Sequence, residues 1–423
     1  MKAPEGSRRS IAVIGAGIAG LTAAYVLQRD VDVTLYEADD RLGGHAHTHD
    51  LASGSQLYGV DSGFIVHNER TYPTLLRLFA SLGVATQPAP MSMSIRCDGC
   101  GLEYAGAKGL AGMFAQSSAL LRGRYLALLA QVPKFHRQAR ALLDGDDELT
   151  LGRFLGNGGF SAYFVNHFVV PLVSAVWSCG PHLVAEYPAR YLFTFLAHHG
   201  MLSVTGSPTW RTVVGGSHRY VEKASKELTA VRTATPIRTV TRFPGGVSVR
   251  DDADVVSDHD AVVIATHADQ ALRLLGDATT AERRVLGAFE YSRNDTVLHS
   301  DPSVLPRRPR ARASWNYRLS SCTPPPGDVQ VSYDLNLLQQ LDAPSPFVVT
   351  LNAGLRVPES AVIARMAYEH PVYTPATIAA QRELPALSRG TTAFAGAYHG
   401  WGFHEDGCRS GVEAARSLGV VAW

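Results

Sequence analysis

Residues 9–37 read RSIAVIGAGIAGLTAAYVLQRDVDVTLYE and combine a strand, a glycine turn, a helix and a second strand. The first strand, 11–14, is rich in β-branched residues, and the second, 31–36, ends at Glu37. Three glycines with GxGxxG spacing separate the first strand from the helix, namely Gly15, Gly17 and Gly20. This order predicts a parallel α/β unit that binds a dinucleotide.

Each part of this unit has a physical role in binding a diphosphate. Gly15 permits a tight turn, Gly17 lets a pyrophosphate approach the backbone, and Gly20 lets the helix pack on the sheet. The helix begins with Ile18 and Ala19, so its N-terminal N–H groups face the phosphates. The carboxylate of the acid that ends the second strand can accept hydrogen bonds from ribose hydroxyls.

The residues that follow distinguish FAD from NAD. Residues 37–47 read EADDRLGGHAH, which resembles the flavin motif of an acidic strand end followed by Arg-x-Gly-Gly. Arg41 is the arginine of that motif, and the resemblance implies that Gly43 and Gly44 let the chain pass close to the flavin diphosphate and ring. His45 stands where amine-oxidase relatives often carry arginine. We therefore predict that it lies beside the flavin.

Three histidines raise the alternative of a metal site. His45, His47 and His49 alternate in RLGGHAHTHD, residues 41–50, and in an extended strand all three side chains would leave one face. The flavin motif already accounts for the first of them. We interpret the other two as the polar face of a strand that continues outward, and we expect no metal here.

Two cysteines raise the same alternative. Cys97 and Cys100 lie close together in CDGCG, but a zinc site would need further ligands, and the other three cysteines stand alone in the sequence. Asp98-Gly99 is a signal for a two-residue hairpin turn between MSMSIR and LEYAG. We therefore interpret the two cysteines as flanking a β-turn without a metal.

The segment TTAFAGAYHGWGFHEDGC, residues 391–408, predicts a strand over 391–395, a glycine turn and a helix from about residue 405. It resembles the segment of glutathione-reductase-like flavoproteins and their amine-oxidase branch that brings a helix N-terminus to the pyrimidine end of the flavin. The resemblance implies cofactor contacts from Gly396, Gly402, Phe403, His404 and Glu405. The candidates for a catalytic base are His45, His399 and His404, because a histidine near neutrality is suited to proton transfer.

A third segment predicts the return of the chain to the flavin domain. Residues 209–228 contain a Gly-Gly turn that opens a helix, and a pair of strands around Pro-Gly-Gly follows before DAVVIATHADQALRLL. This order resembles the amine-oxidase branch. By that resemblance Ile237 lies against the adenine, and Ala265 and Thr266 close the sheet beside the cofactor.

With these three segments, the whole chain resembles the FAD-dependent amine-oxidase and phytoene-desaturase superfamily. It is most similar to a bacterial amine-oxidase-like branch that is often encoded beside cyclopropane-fatty-acid synthases. The resemblance implies an α/β, glutathione-reductase-like (Rossmann-type) FAD-binding domain with an inserted mixed α+β substrate domain. We expect the former in 1–85, 206–270 and 386–423, and the latter in 86–205 and 271–385. The resemblance to this branch also favours an acyl or lipid-like substrate.

Composition and charge indicate where the protein is located and which partners it does not bind. The 423 residues are 46% hydrophobic and 18% charged, and the formal net charge of +1 gives no overall field that would attract nucleic acid. No apolar run is long enough to span a bilayer, and no apolar signal region precedes the first strand. We expect a cytoplasmic protein that does not bind nucleic acid.

The predicted substrate domain has a basic part and an aromatic part. Residues 105–143 predict helices that carry six basic residues and no acid, which favours contact with a fatty carboxylate, a lipid headgroup or the inner membrane face, although an ordinary solvated helix face is the alternative. The later part is rich in strands. Candidates for the pocket wall over the flavin are Trp177, Trp210, Trp315, Tyr317 and Tyr333.

We therefore predict an FAD-dependent oxidoreductase that takes a hydride from an apolar or lipid-like substrate onto flavin N5. A flavin-dependent double-bond isomerase without net oxidation and an amine oxidase are alternatives. A third is a non-catalytic flavin-binding lipid partner protein. A lipid-modifying enzyme is the possible protein partner.

Overall fold

The computed structural model describes residues 8–145, 148–203, 206–323, 325, 330–420 and 423. Its strands, in chain order, are β1 (Ser10–Ile14), β2 (Asp32–Tyr36), β3 (Thr48–Ser53), β4 (Gln56–Asp61), β5 (His67–Asn68), β6 (Thr86–Pro88), β7 (Met93–Cys97), β8 (Leu102–Tyr104), β9 (Trp210–Val213), β10 (Ala230–Arg232), β11 (Ile237–Phe243), β12 (Gly246–Asp251), β13 (Val256–His259), β14 (Ala261–Ile264), β15 (Glu290–His299), β16 (Trp315–Leu319), β17 (Gln330–Asp334), β18 (Val348–Leu351), β19 (Val362–Val372) and β20 (Thr392–Phe394).

The α-helices are α1 (Ile18–Leu27), α2 (Pro73–Leu82), α3 (Gly109–Met113), α4 (Gly123–Asp144), α5 (Leu151–Asn157), α6 (Ala162–Phe164), α7 (Val170–Trp177), α8 (Pro181–Val184), α9 (Ala189–His198), α10 (His218–Lys226), α11 (Ala268–Leu274), α12 (Thr280–Leu286), α13 (Leu335–Leu338), α14 (Pro375–Gln381) and α15 (His404–Ser417). A π-helical turn, Val165–Val169, joins α6 to α7. Within the described residues, no helix has both the length and the apolar composition needed to cross a bilayer.

A five-stranded parallel sheet carries the glycine turn. Its order is β10-β2-β1-β14-β20, so its strands come from all three segments that we assign to the cofactor domain. Alternate residues of β1 enter different cores, because successive side chains of a strand leave opposite faces. Ile11 and Val13 pack with α1 and α15, whereas Ala12 and Ile14 face the β11–β13 meander and α11.

A mixed seven-stranded sheet forms the second unit, in the order β19-β15-β18-β17-β16-β7-β8. It combines β7 and β8 from the 86–205 segment with five strands from 271–385, and the two segments meet where β7 pairs in parallel with β16. Helices α4 to α9 cover it with a phenylalanine-rich core. The Phe135 ring of α4 lies 5.5 Å from Phe193 and 5.8 Å from Phe164.

The hairpin predicted around Asp98-Gly99 forms, but its turn is longer than two residues. Cys97 pairs with Leu102, so four residues, 98–101, make the connection. The longer turn lets the Asp98 carboxylate accept hydrogen bonds from two arginines, and Gly101 supplies the left-handed conformation, with φ of 65°. The two-residue prediction is therefore wrong in loop length.

Candidate active site

A cavity of about 770 Å³ runs along the carboxyl edge of the parallel sheet and continues into the second unit. This edge is where open α/β sheets bind ligands. At one end the cavity is lined by Glu37, Ile237 and Arg238, and at the other by His45 and by residues of the second unit such as His370. It has the elongated course that a dinucleotide with a bound substrate would occupy.

The glycines of the first turn divide into two kinds. A Cβ at Gly20 would lie 1.8 Å from the carbonyl oxygen of Gly15, and a Cβ at Gly15, with φ of 96°, would lie 2.8 Å from that of Ala265. A Cβ at Gly17 would meet no described atom within 4 Å. Gly15 and Gly20 are thus needed by the protein itself, whereas Gly17 borders open space at the N-terminus of α1. The adjacent Ile18 and Ala19 also line the cavity.

Glu37 lies at the end of β2 with both carboxylate oxygens engaged. Oε2 accepts a hydrogen bond from the Ala16 N–H at 2.7 Å, and Oε1 accepts one from the Asp39 N–H at 3.0 Å. These bonds orient the carboxylate within the cavity lining. It is in place to accept hydroxyl hydrogen bonds from a ribose.

The second glycine turn packs against the first. A Cβ at Gly44 would lie 3.2 Å from Cα of Gly17, and the Gly43 N–H donates to the Ala16 carbonyl at 2.9 Å. Both residues have positive φ, 109° at Gly43 and 56° at Gly44. Gly44 lines the cavity, whereas Gly20, Gly43 and Arg41 lie outside the lining. The two turns together form the cradle in which a diphosphate fits.

His45 follows in a turn, not in the extended strand that the alternation predicts, because β3 begins only at Thr48. Its Nε2 atom is buried with no hydrogen-bond partner among the described residues. The ring lies 5.0 Å from that of Tyr368 and 5.4 Å from that of His370, measured between centroids. Burial lowers the pKa of His45 well below its ordinary value, so the ring is uncharged at neutral pH.

The other two histidines of that segment diverge from His45. The Nδ1 atom of His47 shares a hydrogen bond of 3.0 Å with the Tyr368 hydroxyl, and Nε2 of His49 shares one of 2.9 Å with Ser62. Their ring centroids are 4.2 Å apart, and the ring planes are tilted by 32°. These partners account for both side chains without a metal ion.

The C-terminal segment supplies the far end of the cradle. Gly396, Gly402, Phe403 and His404 line the cavity, and α15 begins at His404. The His404 ring stacks on Phe64 at a centroid distance of 3.7 Å, and burial lowers its pKa to about 3. A neutral imidazole therefore lies at the N-terminus of this helix.

Two residues of this segment have other surroundings than the sequence implied. The carboxylate of Glu405 accepts the N–H groups of Thr74 and Leu75 at 3.0 and 2.9 Å, so it caps the N-terminus of α2. Neither Glu405 nor His399 lines the cavity. Burial lowers the pKa of His399 to about 3, and the nearby Arg409 lowers it further.

The structure also brings to the cavity residues that the sequence did not single out. Ile237, Ala265 and Thr266 line it as implied, but so do His267 and three consecutive residues of β19, Tyr368, Glu369 and His370. Nδ1 of His267 lies 3.4 Å from the Glu369 carboxylate. Burial lowers the pKa of His370 to about 4. The alternation of residue types in AYEHPV, residues 367–372, could have indicated a strand here. It could not have shown that this strand lies beside His45.

Apolar side chains also line the cavity, and some of them contact the C-terminal segment: the Phe195 ring stacks on that of Phe403 at a centroid distance of 4.8 Å. Four of the five predicted aromatic residues line the cavity, Trp177, Trp210, Trp315 and Tyr333, whereas Tyr317 is buried outside it. We use the term apolar wall for Val176, Trp177, Phe195, Met201, Trp210 and Leu351.

Comparison with known proteins places this geometry in a family. The family described as flavin containing amine oxidoreductase matches residues 18–294. The protein AofH of Mycobacterium tuberculosis, named as a flavin-containing monoamine oxidase, is 28% identical over 254 residues, which are 57% of this chain and 53% of that protein. The chain thus spans about half the length of the curated relatives it matches.

Two solved structures share the fold along almost the whole chain. Putrescine oxidase bound to putrescine has a TM-score of 0.67 at 16% identity, over 97% of this chain and 98% of that one. A fatty acid isomerase from P. acnes, described as producing CLA, has a TM-score of 0.67 at 17% identity, over 98% and 99% of the two chains. At these identities the similarity shows the fold alone.

The cavity fits FAD on its own geometry. The open space beside Gly17, the oriented carboxylate of Glu37 and the unpartnered buried Nε2 of His45 are the places for a diphosphate, a ribose and a ring system. These observations agree with the sequence predictions of an α/β flavoprotein fold and an FAD cofactor. The chain belongs to the family of flavin-containing amine oxidoreductases.

Proposed function

We propose that the protein is an FAD-dependent oxidoreductase that removes a hydride from an apolar, lipid-like substrate. The apolar wall is the observation that carries this proposal, because its six side chains give a substrate an apolar surface to pack against. A charged amine or carboxylate buried against it would lose its hydration without a partner, which costs several kcal/mol. An acyl chain would meet no such cost.

The charged residues of the cavity support the same division. Glu37, Asp39, Arg238 and Arg273 come from the elements that form the nucleotide end, and Glu369 lies against His267. Four of the five charged residues of the lining thus lie at the nucleotide end, and the fifth, Glu369 of β19, borders the second unit beside His267. The other lining residues from the seven-stranded sheet, α7 and α9 are uncharged.

When bound, FAD supplies a hydride acceptor at N5. The protein's own contribution is to orient the substrate between the apolar wall and the cradle and to exclude water. His45 is the residue that could hold or move a proton, because its ring is neutral and its Nε2 has no hydrogen-bond partner among the described residues. His370 and His404 remain neutral and keep the surroundings of the reacting carbon uncharged.

An anaerobic titration of the purified holoprotein tests the proposal. We expect unsaturated acyl compounds to bleach the visible flavin band rapidly and diamines to leave it unchanged at neutral pH. Turnover without an external acceptor would identify an isomerase, and a need for an acceptor would identify a desaturase. Bleaching by diamines alone would overturn the proposal, and neither bleaching nor turnover of any acyl compound would favour the flavin-binding carrier.

We also propose that residues 105–143 contact an anionic lipid surface. Several leucines here are exposed although they are apolar, among them Leu110 at 72% and Leu121 at 89%. They alternate with Lys108, Arg122 and other basic residues, a pattern typical of helices at a membrane interface.

Co-sedimentation with vesicles that contain an anionic phospholipid tests this contact. We expect Leu121→Glu to weaken sedimentation at least tenfold, whereas Leu57→Glu, at a 68% exposed leucine on β4, serves as the control and should not. Equal sedimentation of all three proteins would refute the contact. A lipid-modifying enzyme as the protein partner remains a prediction, for which pull-down with such an enzyme is the test.

A further inference from the structure

Three cysteines and a histidine from distant parts of the sequence meet at one end of the seven-stranded sheet. Cys97 ends β7, Cys100 lies in the hairpin turn that follows, Cys322 follows β16, and His167 lies in the π-helical turn. One ligand atom from each lies within 4.8 Å of all the others. None of the four residues lines the FAD cavity.

The spacing of these atoms suits one tetrahedral ion. With Zn–S of about 2.3 Å and Zn–N of about 2.0 Å, tetrahedral geometry requires S···S of about 3.8 Å and S···N of about 3.5 Å. The Sγ atoms of Cys97 and Cys322 are 3.9 Å apart, and Sγ of Cys100 is 3.7 Å from Nε2 of His167. The first distance is also well beyond a disulfide bond, and all three cysteines are free thiols.

The surroundings hold the donors in a ligating orientation. Nδ1 of His167 donates to the Tyr163 carbonyl at 3.0 Å, which leaves the Nε2 lone pair facing the cysteines. Metal-binding histidines are oriented by a bond of this kind. The Cys322 carbonyl accepts from Asn166 at 2.9 Å, and the Cys100 carbonyl accepts from Arg122 at 3.0 Å. Both ligand-bearing loops are thus tied to the helical layer.

The π-helical turn is a second indication. A π-helical turn inserts an extra residue into a helix and weakens the regular hydrogen bonds there. Such turns are rare, and they occur frequently at functional sites. Here the turn contains His167, whose side chain is fully buried. Its effect is to place the imidazole against the sheet end between the two cysteine-bearing loops.

The geometry points to a structural zinc site formed by Cys97, Cys100, His167 and Cys322. Four protein ligands leave no open coordination position, which is typical of a structural ion and not of a catalytic one. On binding, the three thiols lose their protons to solvent and no electron is transferred. The ion would fasten the β7–β8 hairpin and the end of β16 to the helix that leads through α7 to the apolar wall.

Metal analysis of the purified holoprotein, prepared without a metal-affinity step, tests the proposal directly. We expect about one zinc per chain, and X-ray absorption should show three sulfur neighbours at about 2.3 Å and one nitrogen at about 2.0 Å. Less than about 0.1 zinc per chain after growth with added zinc would overturn the proposal. So would a disulfide between Cys97 and Cys322 in protein purified under reducing conditions.

Matched variants locate the ion. We expect zinc to fall at least tenfold in Cys322→Ser, to stay near one per chain in Cys179→Ser, a buried cysteine outside the cluster, and to be retained in His167→Cys, which supplies a fourth thiolate. Loss of zinc in His167→Ala together with its retention in His167→Cys would identify position 167 as a ligand, and this pair does not depend on whether Cys322→Ser folds. Equal zinc in Cys322→Ser and Cys179→Ser would refute the assignment.

Discussion

Gly17 and Gly20 are separated by less than one helical turn, and their replacement by alanine should have opposite consequences. At Gly17 the added methyl meets no described atom within 4 Å and the backbone φ of −69° suits alanine, so the free energy of unfolding should change by less than about 1 kcal/mol. At Gly20 the methyl would lie 1.8 Å from the Gly15 carbonyl oxygen. Relief requires a shift of α1 by more than about 1 Å, which should cost at least about 4 kcal/mol.

The affinity for FAD should show the opposite pattern: Gly17→Ala, which has the smaller effect on stability, should bind FAD more weakly than a Gly20→Ala protein that folds. The open space at Gly17 is the place for the diphosphate, and a methyl there should remove one or two hydrogen bonds to a charged group, or about 3 kcal/mol in all. That loss corresponds to roughly a hundredfold weaker binding. Chemical denaturation measures the stability, and quenching of flavin fluorescence on binding to apoprotein measures the affinity.

Two results would refute this reasoning. Wild-type FAD affinity in Gly17→Ala would show that the diphosphate does not approach the backbone at this glycine. Wild-type stability in Gly20→Ala would show that the contact between the turn and α1 is looser than the 1.8 Å distance implies. In either case the division of the glycines into two kinds would fail.

Three further predictions concern other parts of the chain. Glu405→Ala removes the cap of α2 and should lower the free energy of unfolding, measured by chemical denaturation, by about 2 kcal/mol. The affinity for FAD should stay within twofold of the wild type. Loss of FAD binding with unchanged stability would show that Glu405 belongs to the cofactor site. Burial lowers the pKa of His404 to about 3, so the folded protein keeps this ring neutral, whereas the unfolded chain protonates it below its ordinary pKa of about 6.5. The free energy of unfolding should therefore fall as pH drops from about 6.5 towards 3, by up to about 1.4 kcal/mol per pH unit for each such histidine. His404→Phe should make this fall with pH less steep, and an unchanged pH dependence would contradict the assignment. Met201→Glu places a carboxylate in the apolar wall and should slow flavin reduction by acyl compounds at least tenfold, whereas Met201→Leu should not; equal rates would contradict the role of the wall.

Local patterns predicted much of the cofactor cradle. Gly15, Gly17, Glu37, Ile237 and most of the 396–404 segment line the cavity, because each depends mainly on the local geometry of its own turn or strand end. A glycine that permits a turn or a close approach does so wherever the chain leads. The predicted turn length at Asp98 was wrong because the Asp98 carboxylate bonds to Arg96 and to the distant Arg318.

Contacts between distant strands could not be predicted in this way. Cys97 and Cys322 are 225 positions apart and meet only because β7 pairs in parallel with β16. Tyr368 and His370 lie on β19, the edge strand of the seven-stranded sheet, and this position brings both rings close to His45. No spacing within either segment contains that information.

The pairing of α1 with α15 bears on how the chain acquires its cofactor during synthesis. Thr22 and Cys408, which share a hydrogen bond between these helices, are 386 positions apart. A chain is synthesised from its N-terminus, so the glycine turn is made long before β14, β20 and α15. Until then the face of α1 that packs on α15 is uncovered, although nine of the ten residues of α1 are buried in the finished fold. We therefore expect nascent chains to need protection from aggregation, and FAD to be captured only once the last helix has docked.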